Sequence, residues 1–347
     1  MRLLLQKDMV QKKTMSKSTT TIAGIDIGGA NIKYCQSDGY TLNTIFPLWK
    51  KKKSLPAILE QITSTKNIQT LAITMTGELC DCFKTKNEGV RYILNSIPKK
   101  QFTPLVWTTK RDFIPLANAM KNPEICAASN WLGLASFIAK QQPENFGVSI
   151  DVGSTTTDIT SIDQGNPIAI GVTDTQRLKS GELIYTGMKR TPLASLLGSK
   201  YAQEYFATIA DAHLLANNLD ESPDDTDTAD GRSFTKTNSA RRIAKMICAD
   251  QNEIPMSKIT KIGQIAIKTQ IQWITNALKK HLLRRNKEPK WISVSGSGET
   301  LGKMIINSFE WKTTPVIYSF SSTFGKENSS AACAYSIMKL VDYRHEL

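Results

Sequence analysis

Apolar residues in the first part of the chain form short runs separated by polar turns, and their spacing predicts alternating strands and helices. The run 22–27 is typical of a strand, whereas 55–63 carries leucine and isoleucine at helical spacing after Ser54, the expected N-cap. Further strands are predicted at 33–37, 42–47, 71–75 and 104–108, and helices at 85–97 and 130–139. The run Lys50–Lys53 falls between a strand and a helix, where we expect a loop.

The pattern begins again at Gly147. Strands are predicted at 148–151, 158–162 and 168–170, followed by helical segments at 203–217, 238–248 and 256–282. A strand at 291–295, a helix through Phe309, an edge strand at 315–318 and a helix at 329–341 complete the chain. The repeated β-β-β-α-β-α order therefore predicts a duplicated α/β architecture.

Each half opens on a strand that delivers an aspartate to a turn of small residues. The first turn has Asp26 followed by Gly28, Gly29, Asn31 and Lys33, and the second has Asp151 followed by Gly153, Ser154, Thr155 and Thr156. Small residues let backbone N–H groups approach an anion, and hydroxyl groups can donate to phosphate oxygens. A plain hairpin turn is the alternative for either motif alone. Together the two motifs predict a phosphate site with Asp26 and Asp151 as Mg²⁺ ligands.

A third glycine-rich segment, Gly296, Ser297 and Gly298, follows a late strand and opens a helix. Helix N-termini bind phosphate, although a simple strand-to-helix turn is the alternative. The segment lacks the Gly-x-Gly-x-x-Gly spacing of a dinucleotide fingerprint. We therefore expect these three residues to contribute to phosphate binding.

Several other acidic residues are candidates for chemistry or for substrate contact. Glu78 and Asp81 follow a predicted strand, at the end of a sheet where α/β folds bind ligands, with acids of a helical first turn as the alternative. Asp211 lies in an apolar helical segment, where a carboxylate needs a cation or another partner unless it faces solvent. The candidate substrate-binding residues are Asp174, Arg177, Asp211, Asp227, Asp230, Arg232 and Glu299. For the acidic loop 224–230, a solvated surface loop is the alternative.

Composition excludes several classes of protein. The 347 residues suit two domains, and no apolar run approaches the ~20 residues of a membrane span. The net charge of +13 is patchy and lacks interleaved aromatic residues, which disfavours a nucleic-acid partner. The six scattered cysteines indicate reduced thiols in a cytoplasm, and the three isolated histidines disfavour covalent catalysis. Carboxylates beside phosphate turns instead favour Mg²⁺-assisted chemistry on a phosphate or diphosphate.

The motifs at 24–31, 74–83, 151–158 and 227–232 resemble the hydantoinase/oxoprolinase-like branch of the actin-like ATPase superfamily that belongs to tetrahydromethanopterin-linked C1-transfer pathways. The resemblance covers about residues 21–340. It implies a duplicated ribonuclease H-like (actin-like ATPase or sugar kinase) fold, with two α/β domains around a phosphate-binding cleft. We expect a disordered basic tail at 1–20, domains at 21–146 and 147–326 with a helical insertion at about 175–285, and a C-terminal helix at 327–347 that packs back on the first domain. Met9 and Met15 are alternative starts to Met1.

The resemblance also implies a function. It implies a transferase of methanofuran biosynthesis, or of a bacterial analogue, that condenses (5-aminomethyl-furan-3-yl)methyl diphosphate with a tyramine- or tyrosine-derived phenol. The products are an ether and diphosphate, and Mg²⁺ is the implied cofactor, with ATP allowed but not required. The implied base that removes the proton of the phenol is Glu78 or Asp81. An ATP-dependent kinase or hydantoinase/oxoprolinase-type hydrolase of the same fold is one alternative, and a non-catalytic nucleotide-binding protein is another. The implied partners are small molecules, and a homodimer is left open. The basic tail and Lys50–Lys53 depart from the family pattern.

Overall fold

The structure, a computed structural model, describes residues 21–64, 68–99 and 102–345. It does not describe the side chains of Arg344 and His345. The predicted basic tail at 1–20 lies outside the described residues. The chain divides into two compact units. The first comprises residues up to Gly147, Ser161–Ile168 and Ile317–Leu347, and the second comprises Val148–Thr160 and Ala169–Val316.

Strands and helices alternate along both units. In chain order the strands are β1 (Ile22–Ile27), β2 (Asn31–Gln36), β3 (Thr41–Ile45), β4 (Thr70–Met75), β5 (Thr103–Trp107), β6 (Phe113–Pro115), β7 (Phe146–Val152), β8 (Thr157–Asp163), β9 (Asn166–Ile168), β10 (Leu183–Ile184), β11 (Trp291–Ser295) and β12 (Val316–Ser319). The helices are α1 (Leu48–Lys51), α2 (Leu55–Thr63), α3 (Lys86–Asn95), α4 (Leu116–Lys121), α5 (Asn130–Gln141), α6 (Asp174–Ser180), α7 (Leu193–Leu197), α8 (Ile209–Leu215), α9 (Lys236–Ala244), α10 (Met256–Arg285), α11 (Glu299–Asn307), α12 (Phe320–Phe324), α13 (Lys326–Ser330) and α14 (Ala332–His345). Short 3-10 turns lie at Lys52–Ser54, Gly77–Leu79, Pro123–Ile125 and Lys245–Ile247.

The sheet of the first unit has the strand order β3-β2-β1-β4-β5-β6. β1 pairs antiparallel with β2 and parallel with β4, and β4 pairs parallel with β5. Every residue of β1 and β4 is buried, as expected of central strands covered on both faces. α14 crosses β1 so closely that a methyl group on Gly24 would lie 2.1 Å from the carbonyl oxygen of Ala334.

The second sheet repeats this plan. Its order is β10-β8-β7-β11-β12, and β9 pairs with β8. α7, α8 and α9 pack on the long helix α10, whose buried residues recur every three or four positions and include Ile259, Ile262 and Ala266. An antiparallel group of strands that continues into further strands, present twice in one chain, confirms the predicted duplicated ribonuclease H-like α/β fold.

Several sequence-based boundaries agree with the structure to the residue, including α2 and β11, but four predictions are wrong. The strand predicted at 168–170 lies two residues earlier, as β9 (Asn166–Ile168). Lys50–Lys53 is helical rather than a loop, and Lys52 lies over the rings of Phe83 and Tyr92 at 4.6 and 4.7 Å. Ser54 makes no side-chain capping hydrogen bond. The helix predicted from residue 203 begins at Ile209, because Asp211 accepts the backbone N–H of Thr208 at 2.9 Å and fixes the start there.

The short elements β6, β10, α4, α6 and α7 were not predicted. Each has two to seven residues, which is too few for a hydrophobic period to become visible. Within the described part of the chain, no helix combines the length and apolar character needed to cross a membrane.

Candidate functional site: two aspartate turns

The first turn joins β1 to β2 and is closely surrounded. The backbone N–H of Gly28 donates to the carbonyl of Asn31 at 3.0 Å. A methyl group on Gly28 would lie 2.8 Å from that carbonyl oxygen, and one on Gly29 would lie 2.8 Å from Sγ of Cys80. Both distances are shorter than real Cβ contacts. The neighbour of Gly28 is a backbone atom, so that position requires glycine, whereas a methyl group on Gly29 would require the Cys80 side chain to move.

Asp26 is buried in the centre of the first sheet, with only 4% of its surface exposed. In register it lies opposite Lys33 of β2 on one side and Thr74 of β4 on the other. Residues opposed across neighbouring strands project from the same face, so a carboxylate, an ammonium and a hydroxyl share one patch of the sheet. The hydroxyl of Thr74 lies 3.2 Å from that of Ser129. A cation beside a glycine turn suits the anion-binding role predicted for Lys33.

The second turn joins β7 to β8. It makes the same backbone hydrogen bond as the first turn, again from the glycine two residues after the aspartate. The backbone N–H of Gly153 donates to the carbonyl of Thr156 at 2.9 Å. Asp151 is half-buried, and its Oδ1 accepts the hydroxyl of Ser295 at 2.7 Å. The repeated geometry supports the interpretation of the two motifs as one design.

The glycine-rich segment after β11 packs directly on the second turn. Gly296 has φ of 91°, and a methyl group there would lie 2.2 Å from the carbonyl oxygen of Val152 and 2.8 Å from Oδ1 of Asp151. The N–H of Gly298 donates to the same Val152 carbonyl at 2.8 Å. The structure thus brings together the two predicted phosphate segments of the second unit, 153–156 and 296–298, with Ser297 exposed between the two glycines.

A segment that sequence reasoning missed holds the second turn from another side. We call Thr186–Arg190 the strap. The N–H of Met188 donates to the carbonyl of Gly153 at 2.9 Å, and those of Lys189 and Arg190 donate to the carbonyl of Ser154 at 2.9 and 3.0 Å. A methyl group on Gly187 would lie 2.6 Å from the carbonyl oxygen of Gly153, so only glycine allows this approach. No local pattern in the sequence marks this contact.

The two turns differ in the residue seven positions after the aspartate, which is Lys33 in the first motif and Asp158 in the second. Oδ1 of Asp158 accepts from the guanidinium of Arg177 at 2.6 Å, and Arg177 is only 1% exposed. This placement does not favour the predicted contact of Arg177 with substrate, because its guanidinium serves the interior of the unit. Asp174 lies half-buried in the first turn of α6, where the helix dipole favours an acid.

Asp211 forms an ion pair with a cationic side chain of the same unit. The guanidinium of the fully buried Arg242 donates to Oδ1 of Asp211 at 2.7 and 2.9 Å and to Oδ1 of Asp230 at 2.9 Å. Burial alone would lower the pKa of Arg242, but its bonds to Asp211 and Asp230 raise the pKa above the ordinary value. Burial likewise acts against ionisation of Asp230, yet the hydrogen bond from Arg242 lowers the pKa of Asp230. This geometry does not favour the predicted contact of Asp211 and Asp230 with substrate, because both carboxylates are bonded to Arg242.

The acidic loop that contains Asp230 contacts the side chains of the strap. The guanidinium of Arg190 lies 3.3 Å from Asp227, and the ammonium of Lys189 lies 3.7 Å from Asp225. Arg232 is 61% exposed and 3.9 Å from Asp230. Among the predicted substrate-binding residues of this loop, Asp227 and Arg232 therefore have the most exposed side chains.

The candidate bases occupy different environments. Glu78 lies in the 3-10 turn after β4 and is 1% exposed, whereas Asp81 is exposed. A methyl group on Gly89 would lie 2.3 Å from the carbonyl oxygen of Glu78, so α3 packs tightly on this turn. Glu299 begins α11 and pairs with Lys303 at 3.1 Å. The catalytic and substrate-binding roles of Glu78, Asp81 and Glu299 stay predictions.

The donor set at the turns fits Mg²⁺ of the substrate-bound kind. No group of three or more His, Cys, Asp or Glu side chains in the described ranges is arranged to hold a metal ion. Mg²⁺ is commonly bound through one or two carboxylates together with substrate phosphates and water. A single aspartate just before each predicted phosphate turn provides that kind of ligand, and the metal roles of Asp26 and Asp151 stay predictions.

The fold and the two turns define an α/β protein of the duplicated ribonuclease H-like class. The hydantoinase/oxoprolinase family model matches residues 69–331, and the chain belongs to this family, as predicted. Its relative in Methanocaldococcus jannaschii is 31% identical over 332 residues, which span 92% of this chain and 97% of the relative. A relative in Methanococcus vannielii is 32% identical over 215 residues, spanning 60% of this chain and 95% of the relative. Both carry the name (4-{4-[2-(gamma-L-glutamylamino)ethyl]phenoxymethyl}furan-2-yl)methanamine synthase.

Solved structures give more distant likenesses. An archaeal actin homologue in complex with ADP has a TM-score of 0.48 and 13% identity, covering 93% of this chain and all of that one. Nucleotide-free acetone carboxylase has a TM-score of 0.47 and 10% identity, covering 89% of this chain and 51% of that one. The fold assignment rests on the strand order of the two sheets.

Proposed function

We propose that this protein is a synthase that joins a furan-methyl diphosphate to a phenol through an ether bond. The observation that carries the proposal is the 31% identity to the Methanocaldococcus jannaschii synthase over 92% of this chain and 97% of that protein. The name of that relative describes a product in which a phenoxymethyl group is attached to an aminomethyl-furan. The same product class follows from the family resemblance of the aspartate motifs, which places the reaction in the biosynthesis of methanofuran or an analogue.

In the proposed reaction, the methylene carbon exchanges one oxygen for another. The bond between that carbon and the diphosphate oxygen breaks, and its electron pair leaves with diphosphate. The phenol oxygen forms the new bond to carbon and gives up its proton to a base. The furan ring stabilises positive charge on the methylene carbon, so the protein chiefly has to stabilise the leaving diphosphate.

The residues of the two turns are suited to that task. Backbone N–H groups of small-residue turns bind phosphate oxygens, and Lys33 offers a positive charge on the strand that follows the first turn. Bound Mg²⁺ would add positive charge at the leaving group, with Asp26 and Asp151 as the proposed ligands. We propose Glu78 or Asp81 as the base for the phenol, and Asp227 and Arg232 as contacts for charged groups of the substrate. A cytoplasmic location accords with the six cysteines, none of which is in a disulfide.

The decisive experiment is a product analysis without ATP. The purified protein is incubated with Mg²⁺, (5-aminomethyl-furan-3-yl)methyl diphosphate and γ-glutamyltyramine, and the ether and diphosphate are quantified by mass spectrometry and a coupled assay. We expect equal amounts of both products, and none when the phenol is replaced by its O-methyl derivative. Turnover that requires ATP and yields ADP would instead support the kinase or hydrolase alternative.

A further inference from the structure

A buried glutamine of α10 holds the strap. Gln270 is fully buried, and its side-chain Nε2 donates to the carbonyl of Gly187 at 2.7 Å and to the hydroxyl of Thr186 at 2.9 Å. The carbonyl of Gly187 can only accept, so the atom that faces it must be the amide nitrogen. Gln270 occupies the buried stripe of α10, where most other residues are apolar. A buried amide at such a position lowers the stability of the protein unless its hydrogen bonds are made.

His213 fixes the orientation of this glutamine. Its Nε2 lies 2.9 Å from Oε1 of Gln270, and its Nδ1 lies 3.1 Å from Nδ2 of Asn218. Oε1 can only accept, so His213 carries its proton on Nε2, and its Nδ1 accepts from Asn218. Burial lowers the pKa of His213, which keeps the imidazole in this neutral form.

The strap in turn fixes the backbone of the second turn through hydrogen bonds. Its backbone N–H groups hold the carbonyls of Gly153 and Ser154, and the hydroxyl of Thr157 donates to the carbonyl of Thr186 at 2.8 Å. In a planar trans peptide, the carbonyl and the following N–H point in opposite directions. Fixing the carbonyls of Gly153 and Ser154 therefore fixes the N–H groups of Ser154 and Thr155 on the side of the turn away from the strap.

From this geometry we infer that Gln270 is a positioning residue for anion binding. It holds the strap against the second turn and so orients the N–H groups of Ser154 and Thr155 toward the diphosphate. The inference rests on the proposed function for the identity of the anion. The hydrogen-bonded path from Gln270 to the turn stands independently of that function.

The test compares Gln270→Met with Gln272→Met. Methionine preserves the length of the side chain and removes every hydrogen bond, and Gln272 is an exposed glutamine of the same helix. We expect Gln270→Met to accelerate hydrogen exchange in peptides covering 153–157 and 186–190, while peptides from α14 keep their protection. Inorganic diphosphate, measured by calorimetry, should bind about tenfold more weakly, as expected when binding groups lose their alignment. The KM for the furan-methyl diphosphate should rise by a similar factor, and the KM for the phenol should not change.

Each outcome decides one claim. Unchanged exchange in both peptides of a folded Gln270→Met protein would overturn the inference, as would faster exchange with undiminished affinity for diphosphate. If Gln270→Met does not fold, His213→Phe removes the contact that orients Gln270 and is judged by the same readouts. If the wild-type protein neither binds diphosphate nor forms the ether, the proposed function fails and anion positioning fails with it. If it binds diphosphate without forming the ether, only the proposed reaction fails.

Discussion

The two aspartate turns make the same hydrogen bond but are held in place by different means. The turn after Asp26 is confined by close packing, since methyl groups on Gly28 and Gly29 would each come within 2.8 Å of a neighbouring atom. The turn after Asp151 tolerates a methyl group on Gly153, whose nearest neighbour would lie at 3.4 Å, and is held by three backbone N–H groups of the strap. A local motif can thus be duplicated while its support is built separately in each unit.

The supports have different chemistry as well. The second unit buries several polar and charged side chains, including Arg177, His213, Arg242, Gln270 and His281. The first unit packs β1 and β4 in an apolar cluster, with Ile25, Ile27 and Ile73 fully buried. The second unit should therefore be sensitive to changes of charge and protonation, and the first turn to changes of volume.

The largest expected effect is the loss of the buried guanidinium in the second unit. Arg242→Met leaves the buried Asp211 without its cation and should lower the free energy of unfolding by about 3–5 kcal/mol. The matched control is Arg241→Met, an exposed arginine beside it, for which we expect a change within about 0.5 kcal/mol. Urea unfolding measures both, and equal effects would contradict the claim that buried charge supports this unit.

Acid should destabilise the second unit before the first. Burial lowers the pKa of His281 to about 4, with the charges of Glu182 and nearby arginines modifying it, and burial also lowers the pKa of His213. In the unfolded chain these two histidines bind protons near pH ~6.5, whereas in the folded protein they do so only at lower pH. The free energy of unfolding therefore falls as the pH drops from ~6.5 to the pKa of each histidine in the folded protein. The loss from His281 alone should reach about 3 kcal/mol at most.

Hydrogen exchange across that pH window, corrected for intrinsic rates, locates the acid effect. Amides of α8 and α10 should lose protection, whereas those of β1 and β4 should keep theirs. Equal loss of protection in both units would contradict this prediction.

Removing either aspartate charge should impair turnover strongly. We expect Asp26→Asn and Asp151→Asn each to lower kcat about 100-fold or more, because each weakens a proposed ligand of the Mg²⁺ that would stabilise the leaving diphosphate. The circular dichroism spectrum and the melting temperature serve as folding controls. If only one variant loses activity, the two turns do not serve the same step, which would contradict the proposal that both act on the leaving diphosphate.

The smallest effect concerns volume in the turns themselves. Gly28→Ala places a methyl group 2.8 Å from a backbone oxygen and should cost about 1–3 kcal/mol of stability. Gly153→Ala meets only an ordinary contact at 3.4 Å, and its effect should stay within about 1 kcal/mol. Thermal unfolding of the matched pair measures the difference, and similar costs would show that the first turn is not held by excluded volume.

Sequence reasoning succeeded where the signal is local. The strands that deliver Asp26 and Asp151, the small-residue turns after them and the helix α2 follow from short patterns of apolar and polar residues. The supports were missed because their partners lie far apart in sequence. Gln270 reaches Thr186 across 84 positions, and Arg242 reaches Asp211 across 31 positions. Nothing in the local pattern marks Arg242 as buried and its neighbour Arg241 as exposed.

The central claim is that carbon, and not phosphorus, is the centre attacked. It is tested most directly with a furan-methyl diphosphate that carries ¹⁸O at the oxygen joining carbon to phosphorus. After turnover with γ-glutamyltyramine, mass spectrometry should find the label in the released diphosphate and none in the ether. Label retained on the furan-methyl group would show cleavage between phosphorus and oxygen and would contradict the proposed ether synthase.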